Sequence, residues 1–477
     1  MFLPNRAQKL NRFFDFPVFR RTGLQAPHLL WYPFVVVESR FYPFSHSNMV
    51  EMSLLPIDIL EPQKMEPSRT LINWPGRRAA WISASDPPKS VLDQKFQHDP
   101  RRHTLVCGDN LDALKLLLPS LERKVRVIYI DPPYNTGNGL LYNDRFGSWG
   151  RDGDRHAAWL SMMAPRLLLA WRFLRDDGVF FASIDDRELP RLRLLCDEVF
   201  GEDNLVSTVI WRKKVVRGRG NRHILPQTEY ILAYARNIDA LPPFHENLTP
   251  GMKKEYAHHD SLGPYKKIPL AKSGTRQSPR PNLYYSLMAP DGSEIPCPTH
   301  QWRWSRETVE RRKNEILMEK NRKGRWTVYT KQYLRSPEGE ERKRTPESYY
   351  DRVTTSDGTA EMKELLGEVI LDFPKPSRLI RDLISWATPR GSSDPVMDFF
   401  AGSGSTGQAV LELNAQDGGS RPFYLVQSDD PIVHPEFRSI YEICRGRVER
   451  VIKRLEKTGH SPLEVREYRV VGYPLKP

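Results

Sequence analysis

Runs of β-branched and apolar residues without polar alternation mark strands covered on both faces, and they punctuate this chain. Leu105-Val106 leads into Cys107-Gly108-Asp109-Asn110, after which Leu111, Leu114, Leu117 and Leu118 recur at helical spacing. Val125 to Ile130 is a strand of the buried kind, followed by Asp131-Pro132-Pro133-Tyr134 and a Gly/Asn-rich loop through Asn143. A helix from about Arg155 to Leu174 is predicted by Trp159, Leu160, Met163, Leu167, Leu168 and Trp171 on one face. Asp177-Gly178 closes it, Val179 to Ile184 is a second buried strand, and Leu189 to Phe200 is a helix ended by Gly201. Alternation of this kind predicts an α/β fold, a mostly parallel sheet with helices on both faces.

The pattern breaks after Trp211. Residues 212–222 carry six basic side chains and no acid, Thr228 to Ala235 returns briefly to strand, and a polar, Pro-rich stretch runs to about residue 370. Within it, Arg306 to Lys320 reads as helix. Alternation resumes at Val396: Val396-Met397 leads to Asp398-Phe399-Phe400-Ala401-Gly402-Ser403-Gly404-Ser405-Thr406-Gly407, and Ala409 to Leu413 opens a helix. Phe423 to Val426 is a short strand and Tyr441 to Lys457 a basic terminal helix. Residues 1–50 hold eleven aromatics and six basic residues against two acids and keep neither period. They read as an appended arm, or as a start placed early with Met49 or Met52 as alternatives, and show no signal-peptide pattern.

Composition narrows the class. A length of 477 residues suits two or three domains, and 39% hydrophobic with 27% charged residues suits packed cores. No run of ~18 apolar residues is present to cross a membrane. Cys107, Cys196, Cys297 and Cys444 stand far apart, as in a reducing cytoplasm, where this chain is expected to work beside the nucleoid. Cys297 and His300 have C-x-x-H spacing without a second pair, so the stretch reads as a turn around Pro296 and Pro298, and no metal is expected. Lys+Arg 72 against Asp+Glu 59 leaves +13, a balance that points to a polyanion. Residues 301–346 hold fourteen Lys/Arg and seven Asp/Glu, interleaved with Trp302, Trp304, Trp326, Tyr329 and Tyr333. Cations that neutralise phosphates and rings that stack suit nucleic acid. Lys213, Lys214, Arg217, Arg219 and Arg222 are further candidate DNA contacts.

Two segments carry chemistry. Residues 402–407 read G-x-G-x-x-G between a strand and a helix, which a dinucleotide-binding oxidoreductase would also show. Asp398 before the glycines is hostile to pyrophosphate but useful to the amino group of S-adenosylmethionine, and Phe399-Phe400 offers an apolar wall. A helix starting near Thr406 would take the ligand's carboxylate. The second segment, Asp131 to Tyr134, directly follows a buried strand, where ligands of open α/β sheets bind. Asp86-Pro87-Pro88-Lys89 is a decoy, without the strand or the aromatic. An exocyclic base amine is a poor nucleophile, its lone pair being delocalised into the ring. The Asp131 carboxylate and the Pro132 carbonyl can each accept one N–H and free that lone pair. The prolines remove competing donors, and Tyr134 offers a face to an extruded base. Asp185-Asp186 before Arg187 reads as a helix cap rather than a catalytic pair.

Together, Asp131 to Asn138 and Asp398 to Gly404 resemble the S-adenosylmethionine-dependent DNA amino-methyltransferases. Their order resembles the beta class, and more narrowly the modification subunit of type III restriction-modification systems. Ser183-Ile184-Asp185-Asp186, Thr228-Glu229-Tyr230-Ile231-Leu232 and Phe373-Pro374-Lys375-Pro376 match as well. The resemblance implies a Rossmann-like methyltransferase fold with circularly permuted motif order and an inserted target-recognition region. It implies a catalytic half 70–235, a DNA-reading region 236–366 and a donor-binding half 367–477, and it leaves the N-terminal arm 1–69 without a counterpart or an assigned role. Asp131, Pro132, Pro133 and Tyr134 would be catalytic. The donor would lie against Asp109, Phe373, Lys375, Asp398, Phe399, Phe400, Gly402, Gly404, Thr406 and Gln427, with Lys375 on its carboxylate and Gln427 on its ribose. An Asp at the head of the catalytic motif favours adenine N6; the alternatives are cytosine N4 and a non-catalytic DNA-binding subunit. Double-stranded DNA is the implied substrate, and no membrane is involved. A separate restriction/ATPase subunit is the implied partner, since no G-x-x-x-x-G-K-[ST] loop is present, and a homodimer is left open.

Overall fold

The computed structural model describes residues 71–137, 155–214, 223–272, 280–298 and 301–472, all within the compact unit Ile57–Pro477. The N-terminal arm, Asn138, Arg217, Arg219 and Arg222 lie outside the described residues.

One sheet of ten strands organises the unit. Six run parallel in the spatial order Glu464–Gly472, Arg102–Cys107, Phe423–Gln427, Val396–Asp398, Val125–Ile130 and Leu174–Ile184. Thr228–Ala235 and Leu205–Arg212 follow antiparallel, and Tyr349–Tyr350 and Ser90–Leu92 close the two edges. The interior strands are mostly apolar because each feeds two cores. Ile128 and Ile130 pack with helices Asn110–Leu121, Arg155–Phe173 and Leu189–Phe200, whereas Val127 and Tyr129 pack with Ser377–Ala387, Ser405–Asp417 and Ile440–Lys457.

The sheet is interleaved. Arg102–Cys107, early in sequence, lies between Phe423–Gln427 and Glu464–Gly472, both late. The last of these corrects the expectation of a terminal helix: Ile440–Lys457 is followed by a strand. Its alternating charges, from Glu464 through Arg466 and Glu467 to Arg469, mask a β pattern carried by Val465, Tyr468, Val470 and Val471.

The described residues between 246 and 344 build a smaller β unit with its own core of Leu270, Leu287, Trp302, Val309 and Val328. Its four-stranded antiparallel sheet runs Ile316–Lys320, Trp326–Tyr333, Gly263–Pro269, His258–Asp260. Arg306 to Lys320 is therefore not one helix. The helix stops at Arg311, and Ile316–Lys320 pairs with Trp326–Tyr333 across a turn in which Asn321 Oδ1 accepts from the Lys323 and Arg325 amides. Propensity for helix is overridden by that hairpin. Tyr349–Tyr350 and helix Thr355–Leu366 pack with the large sheet and with Ile440–Lys457 instead, so the region drawn as 236–366 ends inside the main fold.

Candidate functional site

Val125–Ile130 and Val396–Asp398 are parallel neighbours, so their C-terminal ends, and the loops leaving them, emerge at the same edge of the sheet. Asp131 comes directly after the first strand and Asp398 ends the second. The loop after Ile130 is pinned residue by residue. Trp159 Nε1 donates to the Pro133 carbonyl at 2.7 Å, and Asn135, at φ +57°, donates through Nδ2 to the fully buried Glu188 at 2.6 Å. Tyr134 Oη lies 3.1 Å from both Asp131 Oδ1 and Glu229 Oε2. Lys375 Nζ stands 2.9 Å from Asp131 Oδ1 and 3.4 Å from Glu229 Oε2, with its charge 4.8 Å from the centre of the Tyr134 ring. Lys213 Nζ closes the cluster, 2.9 Å from Glu229 Oε1.

Burial raises the pKa of Asp131, and the Lys375 ammonium opposes that rise. Glu229 is held below the usual carboxylate range; burial works against this, and Lys375 and Lys213 outweigh it. Lys375 is itself buried, yet Asp131 and Glu229 push its pKa above the ordinary lysine value.

The glycine turn is held from behind. Asp398, almost fully buried, accepts from the Phe400 amide at 2.9 Å and from Thr406 Oγ1 at 2.5 Å. Burial first, and then the Asp131 charge, lift its pKa to about 7. Gly402 N–H donates to Gln427 Oε1 at 2.7 Å. Gly404 has φ +83°, and a Cβ there would lie 3.0 Å from the Cys444 carbonyl, so only glycine fits the start of Ser405–Asp417. Arg447, with no exposed surface, donates to Ser403, Ser405, Gln408 and Glu361.

Both segments open onto one cavity of about 360 Å³. Asp109, Asp131, Pro133, Phe373, Lys375, Asp398, Phe399, Phe400, Gly402, Thr406 and Gln427 line it. Pro132, Tyr134 and Gly404 stand outside that lining. Asp86 to Lys89 and the Asp185-Asp186 pair are no part of it either. Asp185 Oδ1 accepts from the Arg187 amide at 2.9 Å, and Asp186 accepts from Tyr230 Oη at 2.7 Å.

Three expectations change. Lys213, read as a DNA contact, is committed to Glu229, because a buried carboxylate attracts the nearest cation; Lys214 beside it is exposed. Lys375 lines the cavity as expected, but its ammonium is held by Asp131 and Glu229 rather than left free for a donor carboxylate. Gln427, expected on a ribose, spends its amide oxygen on the Gly402 amide. Sequence reasoning gave no role to Glu229, Arg166 or Arg447. A charged residue within an apolar strand was the available signal for Glu229. Arg166 lines the cavity and donates to Asn110 Oδ1 at 2.6 Å, while Asn110 donates to the Phe399 carbonyl at 2.7 Å.

Residues 125–440 match the family model described as DNA methylase. The chain is 30% identical to the Mod subunit of the EcoPI type III restriction-modification enzyme of Escherichia phage P1, over 86% of this chain and 72% of that one. It is 31% identical to the type II methyltransferase M.KpnI of Klebsiella pneumoniae, over 77% of this chain and 92% of that one. Among solved structures, a DNA modification methylase from Thermus thermophilus aligns at 14% identity over 76% of this chain and 99% of that one, with a TM-score of 0.35, too loose a superposition to build on.

Proposed function

The chain belongs to the DNA methylase family whose model covers residues 125–440, and from that premise we propose that it methylates the N6 amine of adenine in double-stranded DNA with S-adenosylmethionine as donor. Membership makes it a DNA methyltransferase, similar to the modification subunits of type III restriction-modification systems. One observation carries the rest of the reading: the Asp131 corner and the glycine turn after Asp398 share a single cavity.

The residues present fit the donor. Asp398 and Asp109 offer carboxylates to an ammonium and to hydroxyls, the edges of Phe373, Phe399 and Phe400 offer apolar contact, and the start of Ser405–Asp417 offers backbone N–H groups to a carboxylate. When bound, S-adenosylmethionine supplies an electrophilic methyl on a sulfonium. The chain's own residues do the rest by holding and orienting. Asp131 and the Pro132 carbonyl accept the two N–H bonds of an extruded amine, and Tyr134 flanks the base. The smaller β unit, with its cation–ring pairs Arg312/Trp304, Lys320/Trp326 and Lys331/Tyr265, reads the target sequence. Lys214, Arg217, Arg219 and Arg222 add phosphate contacts.

A separate restriction/ATPase subunit is the partner this reading calls for. Among the described residues no helix is long and apolar enough to cross a membrane; action on DNA puts the chain in the cytoplasm. The test is transfer of labelled methyl to DNA followed by digestion to nucleosides. N6-methyladenine is expected. N4-methylcytosine alone replaces the base in this reading, and no transfer at all overturns it.

A further inference from the structure

The cluster behind Asp131 holds more than the extruded-base scheme uses. Two carboxylates, Asp131 and Glu229, alternate with two ammoniums, Lys375 and Lys213, and Tyr134 Oη bridges the carboxylates. Among the described residues, both contacts to Asp131 fall on Oδ1 and neither on Oδ2. The single Tyr134 hydroxyl proton has two acceptors at equal distance, 3.1 Å, so Glu229 competes directly for what Asp131 receives. Glu229 also competes for Lys375, from the longer distance of 3.4 Å against 2.9 Å.

We propose that Lys375 and Glu229 are positioning residues that act through Asp131. Lys375 fixes Oδ1 and keeps the carboxylate ionised, leaving Oδ2 to accept from the substrate amine, while Glu229 draws part of that ammonium away so that Asp131 stays a strong acceptor. This rests on the methyltransferase reading above. It adds a counterion system to the motif and gives Lys375 a duty at the base rather than at the donor.

The physical need is plain. A carboxylate taken out of water tends to protonate, and a protonated Asp131 donates where it must accept. The charged and titratable groups facing it are Lys375, Glu229, Tyr134, Tyr129 and Asp398, with Lys213 and Asp185 beyond Glu229. Among the described residues Lys375 is the one cation in direct reach, and the Glu229 carboxylate opposes it. Removing Lys375 therefore raises the pH at which Asp131 ionises, and removing the Glu229 charge lowers it. An opposite or like charge at this range moves a carboxylate by about one pH unit or more.

The experiment compares the wild-type chain with Lys375→Met, Lys375→Arg and Glu229→Gln. The pH profile of kcat is taken at saturating donor, and donor Kd is measured by calorimetry. The acidic limb of kcat is expected to move up by about one unit or more in Lys375→Met, to return in Lys375→Arg, and to move down in Glu229→Gln with a lower plateau. Donor Kd is expected to stay within about threefold of wild type, since a larger effect of one unit would read as tenfold. Limbs that coincide in all four proteins overturn the proposal, as does a large loss of donor affinity in Lys375→Met with an unmoved limb, which returns Lys375 to the donor's carboxylate. Thermal unfolding identifies a misfolded variant, in which case the opposite variant of the pair decides. A wild-type chain that transfers no methyl group defeats the methyltransferase reading itself, a result distinct from either.

Discussion

At Asp398 a buried carboxylate lines the cavity proposed for the donor, with a pKa near neutrality. Each of its oxygens already accepts one internal bond, from Phe400 N–H and from Thr406 Oγ1, so the side chain is oriented before any ligand arrives. Its folded pKa of about 7 lies above the ordinary aspartate value of 3.8. The fold therefore binds the proton more tightly than the unfolded chain does, and this group's contribution to stability declines as pH rises from about 4 to about 7. An ammonium placed against Asp398 reverses the preference by stabilising the ionised form. Two outcomes are expected. The rise in melting temperature on adding S-adenosylmethionine should be larger at pH 8 than at pH 6, and Asp398→Asn should flatten that dependence while weakening donor binding; scanning fluorimetry across the range measures both. Asp131 gives the complementary case. Asp131→Ala removes the acceptor and should lower transfer by roughly a hundredfold or more, as loss of one oriented polar group does elsewhere. DNA affinity, measured by anisotropy, should change little.

Elements rather than residues decide how close the two segments come. Helix Thr355–Leu366 lies on the stretch 373–376 with no side chain between them. A Cβ at Gly358 would sit 2.1 Å from the Pro374 carbonyl oxygen, so the backbones touch. From there the order passes inward: the Lys375 carbonyl accepts from Ser405 Oγ at 2.8 Å, and the Ser377 amide donates to Glu361, which also takes Arg447. Gly358→Ala must push Lys375 along its chain, and a loss of roughly 1–3 kcal/mol is expected, the usual cost of overpacking. Urea unfolding gives that number, and a methyl-transfer assay should show activity falling further than stability does. None of this was legible in the sequence. The Asp131 and Asp398 motifs were, because each is short, follows a strand, and needs only its own neighbours. So were most buried strands and the helices of the α/β alternation, whose patterns are local. Glu229, Arg447 and Gly358 act across long stretches of chain or through backbone approach, and a single sequence carries no sign of which strand will face which loop. The hairpin after Arg311 was missed for a related reason, since its pairing partner rather than its own composition makes it a strand.

On the scale of the whole molecule, the interleaving of early and late strands sets what can be cut. Arg102–Cys107 takes its hydrogen bonds from Phe423–Gln427 on one side and Glu464–Gly472 on the other, and Val125–Ile130 pairs with Val396–Asp398. The halves 70–235 and 367–477 are thus two sequence blocks of a single sheet, and each alone would expose strand edges and the apolar faces of both cores. The smaller β unit is different, because its core is its own. A chain ending near residue 235 is expected to aggregate. A break placed between 298 and 301 should leave the two fragments associated when they are produced together, held by the strand pairings that cross it and by the two cores they share. Donor binding, measured by calorimetry on the copurified fragments, should survive that break, because every residue lining the cavity belongs to the large sheet and its helices or loops. Methylation of a specific site should suffer more, since the broken region carries the cation–ring pairs assigned to DNA. Fragments that separate on a sizing column at micromolar concentration would show instead that the sheet assembles only while the chain is continuous, and that loop closure through the smaller unit supplies part of its stability.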